Sequence, residues 1–222
     1  MSDWIAAEWA APPKIVAGTT LRSAAATALP GKPCFLNQVH GSTVVTAGDF
    51  AVAPEADASV KGSDPFLCVV RTADCLPLLM CTRDGESFAA AHAGWRGLAA
   101  GVIENTVSKL GVEPSNLLVW LGPAISQASF EVGDEVRDVF LSHDTAASSC
   151  FESNARGRWQ ADLYELARQR LRAVGVTNVT GGGFCTYLDD DRFFSYRRDP
   201  ECGRLVSFVG LKPLENTPTA AI

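Results

Sequence analysis

The sequence lacks both an excess of positive charge and a long hydrophobic run. Its 222 residues carry a formal net charge of −6, so the broad basic surface with which proteins bind nucleic acid is not expected. No apolar run approaches the ~18 residues that a membrane-spanning helix needs. Met1–Glu8 contains acids where a secretory signal peptide has a basic start and an apolar core, which predicts a cytoplasmic protein. We therefore expect no nucleic-acid partner and no membrane partner.

Histidine is scarce, and the cysteines lack paired spacing. The chain has three histidines and no His-x-His pair, whereas a multicopper oxidase needs many imidazoles. Its seven cysteines are an odd number without a CxxC motif, so we interpret most of them as small buried hydrophobic residues in a reducing compartment. Only Cys75 has neighbours that suggest chemistry.

Continuous apolar runs indicate buried strands. These runs are Phe66–Arg71, Leu76–Cys81 and Phe88–Ala91. Residues 97–110 instead repeat apolar side chains with the spacing of a helix. Residues 35–47 suggest a hairpin with its turn at His40 and Gly41. Strands mixed with a few helices predict an α/β or α+β sandwich.

The whole chain, residues 1–222, is expected to form one domain. It contains no internal repeat or linker, and its 47% of apolar residues suffice for one large hydrophobic core. Residues 212–222 are expected to form a flexible tail, since chain ends are ordered only where they are tied down.

Two histidines and one cysteine stand where strands are predicted to end. His40 lies next to last in the segment Asn37–Gly41, Cys75 follows Asp74 between two apolar runs, and His92 precedes a glycine-rich turn. Two imidazoles and one thiolate suit Zn²⁺ with three protein ligands and one open position, the pattern of a catalytic zinc site. The same residues could instead form a cysteine nucleophile with a histidine base. Taken singly, each also fits a plain role in a turn or in packing.

Charged residues beside these motifs are candidates for supporting roles. Asp74 interrupts an apolar stretch, where a carboxylate is costly unless it is paired or used, so it is a candidate for proton transfer or a turn cap. Arg96 and the predicted helix start at Gly97 are candidates for holding phosphate, because a helix N-terminus favours anions. Asp57 could support the site or belong to a loop. Arg197 could contact an anion or lie on a solvated face.

Several motifs, in one order, resemble those of the YfiH-type family. They are Leu36–Gly41, Glu55–Ala58, Thr72–Pro77, Ala91–Gly97, Leu121–Ile125, Phe130–Gly133 and Phe194–Asp199. Members of this family have been labelled laccase-domain or polyphenol oxidase proteins and also purine nucleoside phosphorylases. The resemblance implies a four-layer α/β/β/α sandwich of two similar halves with mixed sheets. It further implies that His40, Cys75 and His92 bind zinc, with copper the less favoured metal.

The resemblance also implies an enzyme that acts on purine nucleosides. The activities reported for the family are phosphorolysis of adenosine, inosine, guanosine and methylthioadenosine, and deamination of adenosine. The expected catalytic residues are Cys75, His92 and Asp74. The expected substrate and phosphate contacts are Asn37, Gln38, Arg96, Gly97 and Arg197. The expected partners are therefore a purine nucleoside and phosphate, and a monomer is favoured.

Three other functions stay open at this point. Cys75 with a histidine base could serve a hydrolase, or a factor that edits peptidoglycan precursors. A copper polyphenol oxidase is disfavoured by the histidine count. A structural zinc site would make Cys75 essential for folding rather than for activity.

The first 35 residues depart from the family pattern. After Gly18–Arg22, the family's usual Ser-Leu-Asn-Leu stretch and the helix that follows it are missing. The segment is roughly thirty residues shorter than this comparison leads us to expect. If the missing segment lines the substrate pocket, the resemblance does not determine the specificity of this chain, even where the metal chemistry is retained.

Overall fold

Two mixed β-sheets, stacked face to face, form the centre of the molecule. The computed structural model describes residues 3–24 and 29–213. In chain order the strands are β1 (Trp4–Ala6), β2 (Ile15–Thr20), β3 (Lys32–Cys34), β4 (Val44–Thr46), β5 (Ala58–Val60), β6 (Phe66–Thr72), β7 (Leu76–Thr82), β8 (Phe88–Ala93), β9 (Leu117–Leu121), β10 (Glu131–Val132), β11 (Phe151–Ser153), β12 (Trp159–Ala161), β13 (Asn178–Gly181) and β14 (Leu205–Leu211). The five-stranded sheet has the order β1-β2-β14-β6-β3, the six-stranded sheet has the order β13-β9-β7-β8-β5-β4, and β10-β12-β11 form a third, small sheet.

Strands β7 and β8 lie in the most buried layer. All of their residues are buried. Leu78 and Met80 belong to the hydrophobic cluster on the helical side, whereas Leu79 and Cys81 belong to the cluster between the sheets. Because both faces are covered, apolar residues follow one another without the alternation of a half-exposed strand. The buried strands predicted from the apolar runs are confirmed.

The four α-helices of the described residues pack on one side of the six-stranded sheet. They are α1 (Trp95–Ala99), α2 (Val102–Leu110), α3 (Asp134–His143) and α4 (Leu163–Ala173). Leu98, Ile103, Phe140 and Leu166 join them to one hydrophobic cluster with β7 and β8. The single helix predicted over residues 97–110 is interrupted, because Gly101 has a left-handed φ of 88° between α1 and α2.

The mixed α+β class is confirmed, but the described helices cover only one of the two large sheets. Side chains of Trp4, Leu29 and Phe35 cover the outer face of the five-stranded sheet. Residues 3–24 and 29–213 contain no α-helix before Trp95, so the second helix layer of the implied α/β/β/α sandwich is not found among them. Only a short segment joins β2 to β3, which leaves little chain for such a layer.

Two predictions fall partly outside the described residues. The tail predicted over residues 212–222 lies outside them from residue 214 onward, and so do residues 1–2 and 25–28 of the N-terminal segment. Within the described ranges, no helix combines the length and the apolar character that crossing a membrane requires.

The segment between β3 and β4 crosses from one sheet to the other and carries His40. Cys34 in β3 pairs with β6, whereas Val44 in β4 pairs with β5. The hairpin predicted over residues 35–47 is therefore wrong, because each arm pairs with a strand far away in the sequence. His40 has a φ of 60°, which is uncommon for a residue other than glycine.

Candidate metal centre

Three side chains converge where β7 begins and β8 ends: those of His40, Cys75 and His92. Their ligand atoms all lie within 4.8 Å of one another. The Cys75 Sγ is 3.9 Å from the His40 Nε2, and the two imidazole rings meet edge to face with centroids 4.8 Å apart. His92 is buried, Cys75 is half-buried and His40 is exposed. The cluster could hold a metal ion and is accessible from the His40 side.

The strand register explains how residues far apart in the sequence meet. In the antiparallel pair of β7 and β8, Leu76 pairs with Ala93 and Pro77 pairs with His92. Cys75, which precedes β7 at the crossing from β6, therefore lies beside the end of β8. His40 reaches the same place from the crossing between β3 and β4. Only the folded sheets bring the three ligands together.

Two glycines allow the backbone before and within α1 to approach the cluster closely. A Cβ atom on Gly94 would lie 2.8 Å from the Cys75 Sγ and 3.1 Å from the His40 Cδ2. A Cβ atom on Gly97 would lie 2.8 Å from the carbonyl oxygen of Gly41. Interiors packed at crystal density have no room for such an added atom, so the close approach requires glycine at both positions.

A buried carboxylate lies behind both histidines. The Oδ1 of Asp57 accepts hydrogen bonds from the His92 Nδ1 at 2.7 Å and from the His40 backbone N–H at 2.9 Å. The Oδ2 accepts from the backbone N–H groups of Val39 at 3.2 Å and Gly41 at 2.7 Å. The sequence left Asp57 open between a supporting residue and a loop residue. These contacts show that it supports the cluster.

The electrostatics favour a thiolate at Cys75. Burial raises the pKa of the Cys75 thiol, but hydrogen bonds with His40 and His92 outweigh burial and lower the pKa to about 6. Burial opposes the charged form of His92, yet hydrogen bonds with Asp57 and Cys75 raise its pKa to about 9. Burial also opposes the charged form of Asp57, but the hydrogen bond and charge of His92 together with the backbone N–H groups of Gly41 and Val39 outweigh it and lower the pKa of that carboxyl. A thiolate is the form that binds metals and attacks electrophiles.

In the metal-free protein, alkylation of Cys75 by iodoacetamide should accelerate as the pH rises through about 6 and then level off. The thiolate is the reacting form, so the lowered pKa moves this rise below the ordinary thiol range. Mass spectrometry of protein alkylated at a series of pH values measures it. Buried Cys68 and Cys81, whose pKa burial raises to about 12, are internal controls. A Cys75 reaction that begins only above about pH 8 would contradict the expectation.

The donor set fits a tetrahedral metal ion with one position left for a non-protein ligand. Zinc bonds of about 2.3 Å to sulfur and about 2.0–2.1 Å to nitrogen place neighbouring ligand atoms roughly 3.3–3.6 Å apart. The 3.9 Å between the Cys75 Sγ and the His40 Nε2 needs only a small closing movement to reach this range. Thiolate and imidazole ligands suit zinc or copper(I) better than cations that prefer oxygen.

Asp74 ties two loops to the turn that carries Cys75. Its Oδ1 accepts a hydrogen bond from the Thr186 hydroxyl at 2.7 Å, and its Oδ2 accepts one from the Arg197 backbone N–H at 2.7 Å. Asp74 also has a φ of 90° in the left-handed region. Both carboxylate oxygens are engaged by protein groups, which indicates a positioning role. Proton transfer by Asp74 stays a prediction.

Two replacements of Asp74 separate positioning from proton transfer. Asp74→Asn should keep most of kcat/KM for the expected nucleoside phosphorolysis. The asparagine amide can accept from the Arg197 N–H and donate to the Thr186 hydroxyl, and asparagine tolerates a left-handed φ. Asp74→Ala should lose more than tenfold, since it breaks both hydrogen bonds and places alanine at a strained φ. Steady-state kinetics of both variants measures the difference. A loss of roughly 10²–10⁴-fold in both would instead identify Asp74 as the proton-transfer group.

Two predicted substrate contacts have protein partners. The Gln38 side-chain amide donates to the Arg71 carbonyl oxygen at 2.8 Å and accepts from the Arg71 N–H at 2.7 Å. The Arg197 guanidinium donates twice to the Glu131 carbonyl oxygen, at 3.2 Å each. These hydrogen bonds hold loops together, and substrate binding by either residue stays a prediction.

The other predicted contacts differ in accessibility. Arg96 is exposed, with its guanidinium carbon 4.4 Å from the centre of the Trp95 ring. Asn37 is exposed as well. The helix start predicted at Gly97 is wrong, because α1 begins at Trp95 and Gly97 is buried within it. Gly97 packs against Gly41, and its contact with phosphate stays a prediction, whereas Arg96 and Asn37 are accessible to a ligand.

Comparisons with known proteins agree on one family. Residues 7–212 match the model of the family described as multi-copper polyphenol oxidoreductase laccase. A purine nucleoside phosphorylase of Pseudomonas aeruginosa is 46% identical over 242 positions that cover 96% of this chain and 100% of the relative. The purine nucleoside phosphorylase YfiH of Escherichia coli is 51% identical over 188 residues, 84% of this chain and 77% of the relative. The crystal structure of a Neisseria meningitidis protein has a TM-score of 0.90 at 38% identity and covers 96% of this chain and 100% of that one.

Proposed function

Because the chain belongs to the YfiH-type family described as multi-copper polyphenol oxidoreductase laccase, we propose that it is a purine nucleoside phosphorylase with a zinc centre at His40, Cys75 and His92. The observation that carries the proposal is the convergence of these three ligands in a chain that is 46% identical to a relative of that name. The named relatives support the reaction, and the donor set supports the metal.

The histidine count favours zinc over the copper of the family description. A multicopper centre needs many imidazoles, whereas this chain has three histidines, two of them in the cluster. The third, His143, is exposed at the end of α3. One thiolate, two imidazoles and an open position are the pattern of catalytic zinc. When bound, Zn²⁺ supplies Lewis-acid chemistry.

The residues around the centre are proposed to bind and orient the reactants. In phosphorolysis a phosphate oxygen forms a bond to the ribose C1′ while the bond from C1′ to the purine nitrogen breaks, and the purine takes up a proton. Arg96, exposed two residues after Gly94, is proposed to neutralise the phosphate charge. Asp74 holds the loops of Thr186 and Arg197 beside the cluster. Adenosine deamination is proposed as a second activity of the same site.

A product assay tests the proposed reaction. Zinc-loaded protein is incubated with adenosine, inosine, guanosine or methylthioadenosine, each with and without phosphate. We expect phosphate-dependent release of the free base with the matching ribose 1-phosphate, and formation of inosine and ammonia from adenosine. The samples without phosphate are the matched controls for phosphorolysis. Release of no base from any of the four nucleosides would contradict the proposal.

The arrangement of Cys75, His92 and Asp57 also favours a second candidate, a hydrolase with a cysteine nucleophile. Asp57 accepts from the His92 Nδ1 at 2.7 Å, and the ligand atoms of His92 and Cys75 lie within 4.8 Å of each other. This is the order of groups in nucleophile–base–acid sites. Amide bonds of cell-wall precursors are the proposed substrates. Stoichiometric zinc in protein that is active on nucleosides supports the phosphorylase. Full activity of metal-free protein in amide hydrolysis supports the hydrolase.

A cytoplasmic location and a monomeric state complete the proposal. All seven cysteines are free thiols, which suits a reducing compartment. The purine nucleoside and phosphate are the proposed partners.

A further inference from the structure

Asp57 is the best-connected polar side chain of the centre. It is fully buried, at 0% exposure. Four N–H groups point at its two carboxylate oxygens: the His92 Nδ1–H and the backbone N–H groups of Val39, His40 and Gly41. These donors come from two segments that each carry a proposed metal ligand.

We infer that Asp57 is a positioning residue that fixes both imidazole ligands at once, and this inference rests on the proposed metal site. A carboxylate can only accept, so the His92 Nδ1 must carry the proton that it shares with Asp57. The His92 Nε2 is then the nitrogen that carries a lone pair toward the cluster. Carboxylate partners of this kind set the tautomer and the orientation of metal-binding histidines.

The same carboxylate holds the turn that carries His40. Three successive N–H groups, from Val39 to Gly41, converge on it and form an anion-binding concavity. The left-handed φ of 60° at His40 is part of this turn. Loss of the carboxylate would therefore release the backbone of one ligand and the ring of another.

Replacing Asp57 by asparagine tests this role at constant size. All four neighbours are N–H donors, so the amide NH₂ of asparagine would face two donors in either orientation. Asp162→Asn is the matched control, because the Asp162 carboxylate accepts a hydrogen bond from the Glu165 N–H at 3.0 Å and asparagine caps a helix equally well. We expect Asp57→Asn to weaken zinc binding by roughly 10–100-fold, with Asp162→Asn unchanged.

Zinc affinity is measured by competition with a chromophoric chelator, and the ligand geometry by the absorption spectrum of the cobalt(II)-loaded protein. Asp57→Asn should lose affinity and change the cobalt spectrum while its thermal unfolding stays cooperative. Unchanged affinity and an unchanged spectrum in Asp57→Asn would overturn the inference. Wild-type protein that binds no zinc would instead overturn the metal site proposed above.

If Asp57→Asn does not fold, a measurement on the wild-type protein tests whether Asp57 sets the tautomer of His92. The chain has three histidines, so a long-range ¹H–¹⁵N spectrum resolves each imidazole, with exposed His143 as the internal reference. In zinc-loaded protein the His92 ring should carry its proton on Nδ1. A His92 ring that is protonated on Nε2 would overturn the role of Asp57.

Discussion

Replacing Cys75 by alanine should abolish zinc binding and phosphorolysis while the fold persists. Cys75 supplies the one anionic donor of the cluster, and the two imidazoles that are left bind zinc much more weakly. Zinc content should fall to background. Loss of a residue that supports a metal ligand typically costs roughly 10–100-fold in activity. Loss of the ligand Cys75 itself should cost more. Elemental analysis and the nucleoside product assay measure the two losses.

The fold should survive because the Cys75 side chain is half-buried and belongs to none of the three hydrophobic clusters. We expect the free energy of unfolding of metal-free protein to change by about 1 kcal/mol or less. Cys202→Ala, which also removes a half-buried thiol, is the matched control and should keep its zinc and its activity. Unfolding of Cys75→Ala would identify a structural zinc site, and retention of full zinc content would contradict the assigned ligand.

Gly94→Ala should disrupt the centre by a steric clash. Gly94 has φ −62° and ψ 158°, which any residue adopts, so an added methyl group brings no backbone strain. The methyl carbon would lie 2.8 Å from the Cys75 Sγ and 3.1 Å from the His40 Cδ2, so both ligands must move. We expect a loss of about 1–3 kcal/mol in the free energy of unfolding, the usual cost of overpacking, and weaker zinc binding. Denaturant unfolding and zinc titration measure the two effects.

Gly48→Ala is the control for Gly94→Ala. A Cβ atom on Gly48 would meet nothing within 4 Å, so zinc affinity should be unchanged and stability should stay within about 0.5 kcal/mol. Wild-type zinc affinity in Gly94→Ala would show that the turn before α1 does not pack on the ligands as described.

The sequence predicts the parts of this fold that local patterns determine. Leu76–Cys81 is apolar throughout because β7 is covered on both faces, and this burial is visible in the sequence itself. The hairpin over residues 35–47 failed because β3 and β4 pair with β6 and β5, and periodicity says nothing about which distant strand is the partner. The interruption at Gly101 was likewise hidden, since helices tolerate single glycines.

The site shows the same division between local and long-range information. The motifs identify His40, Cys75 and His92 as a group, and the structure brings them together. The two aspartates were harder to interpret, since Asp74 interrupts an apolar stretch and Asp57 lies in a loop-like segment, and neither setting shows what the carboxylate contacts. Their roles depend on which donors the fold brings to them: four N–H groups at Asp57, and one N–H group and one hydroxyl at Asp74. No local pattern encodes those partners.

The two crossings between the large sheets have a thermodynamic consequence. His40 lies on the crossing from β3 to β4 and Cys75 on the crossing from β6 to β7, so a metal ion bound there links one sheet to the other. The unfolded chain holds no such arrangement, and the free energy of metal binding therefore adds to the free energy of folding. The converse also holds: substitutions in the core between the sheets alter their stacking, and thereby change metal affinity without touching a ligand.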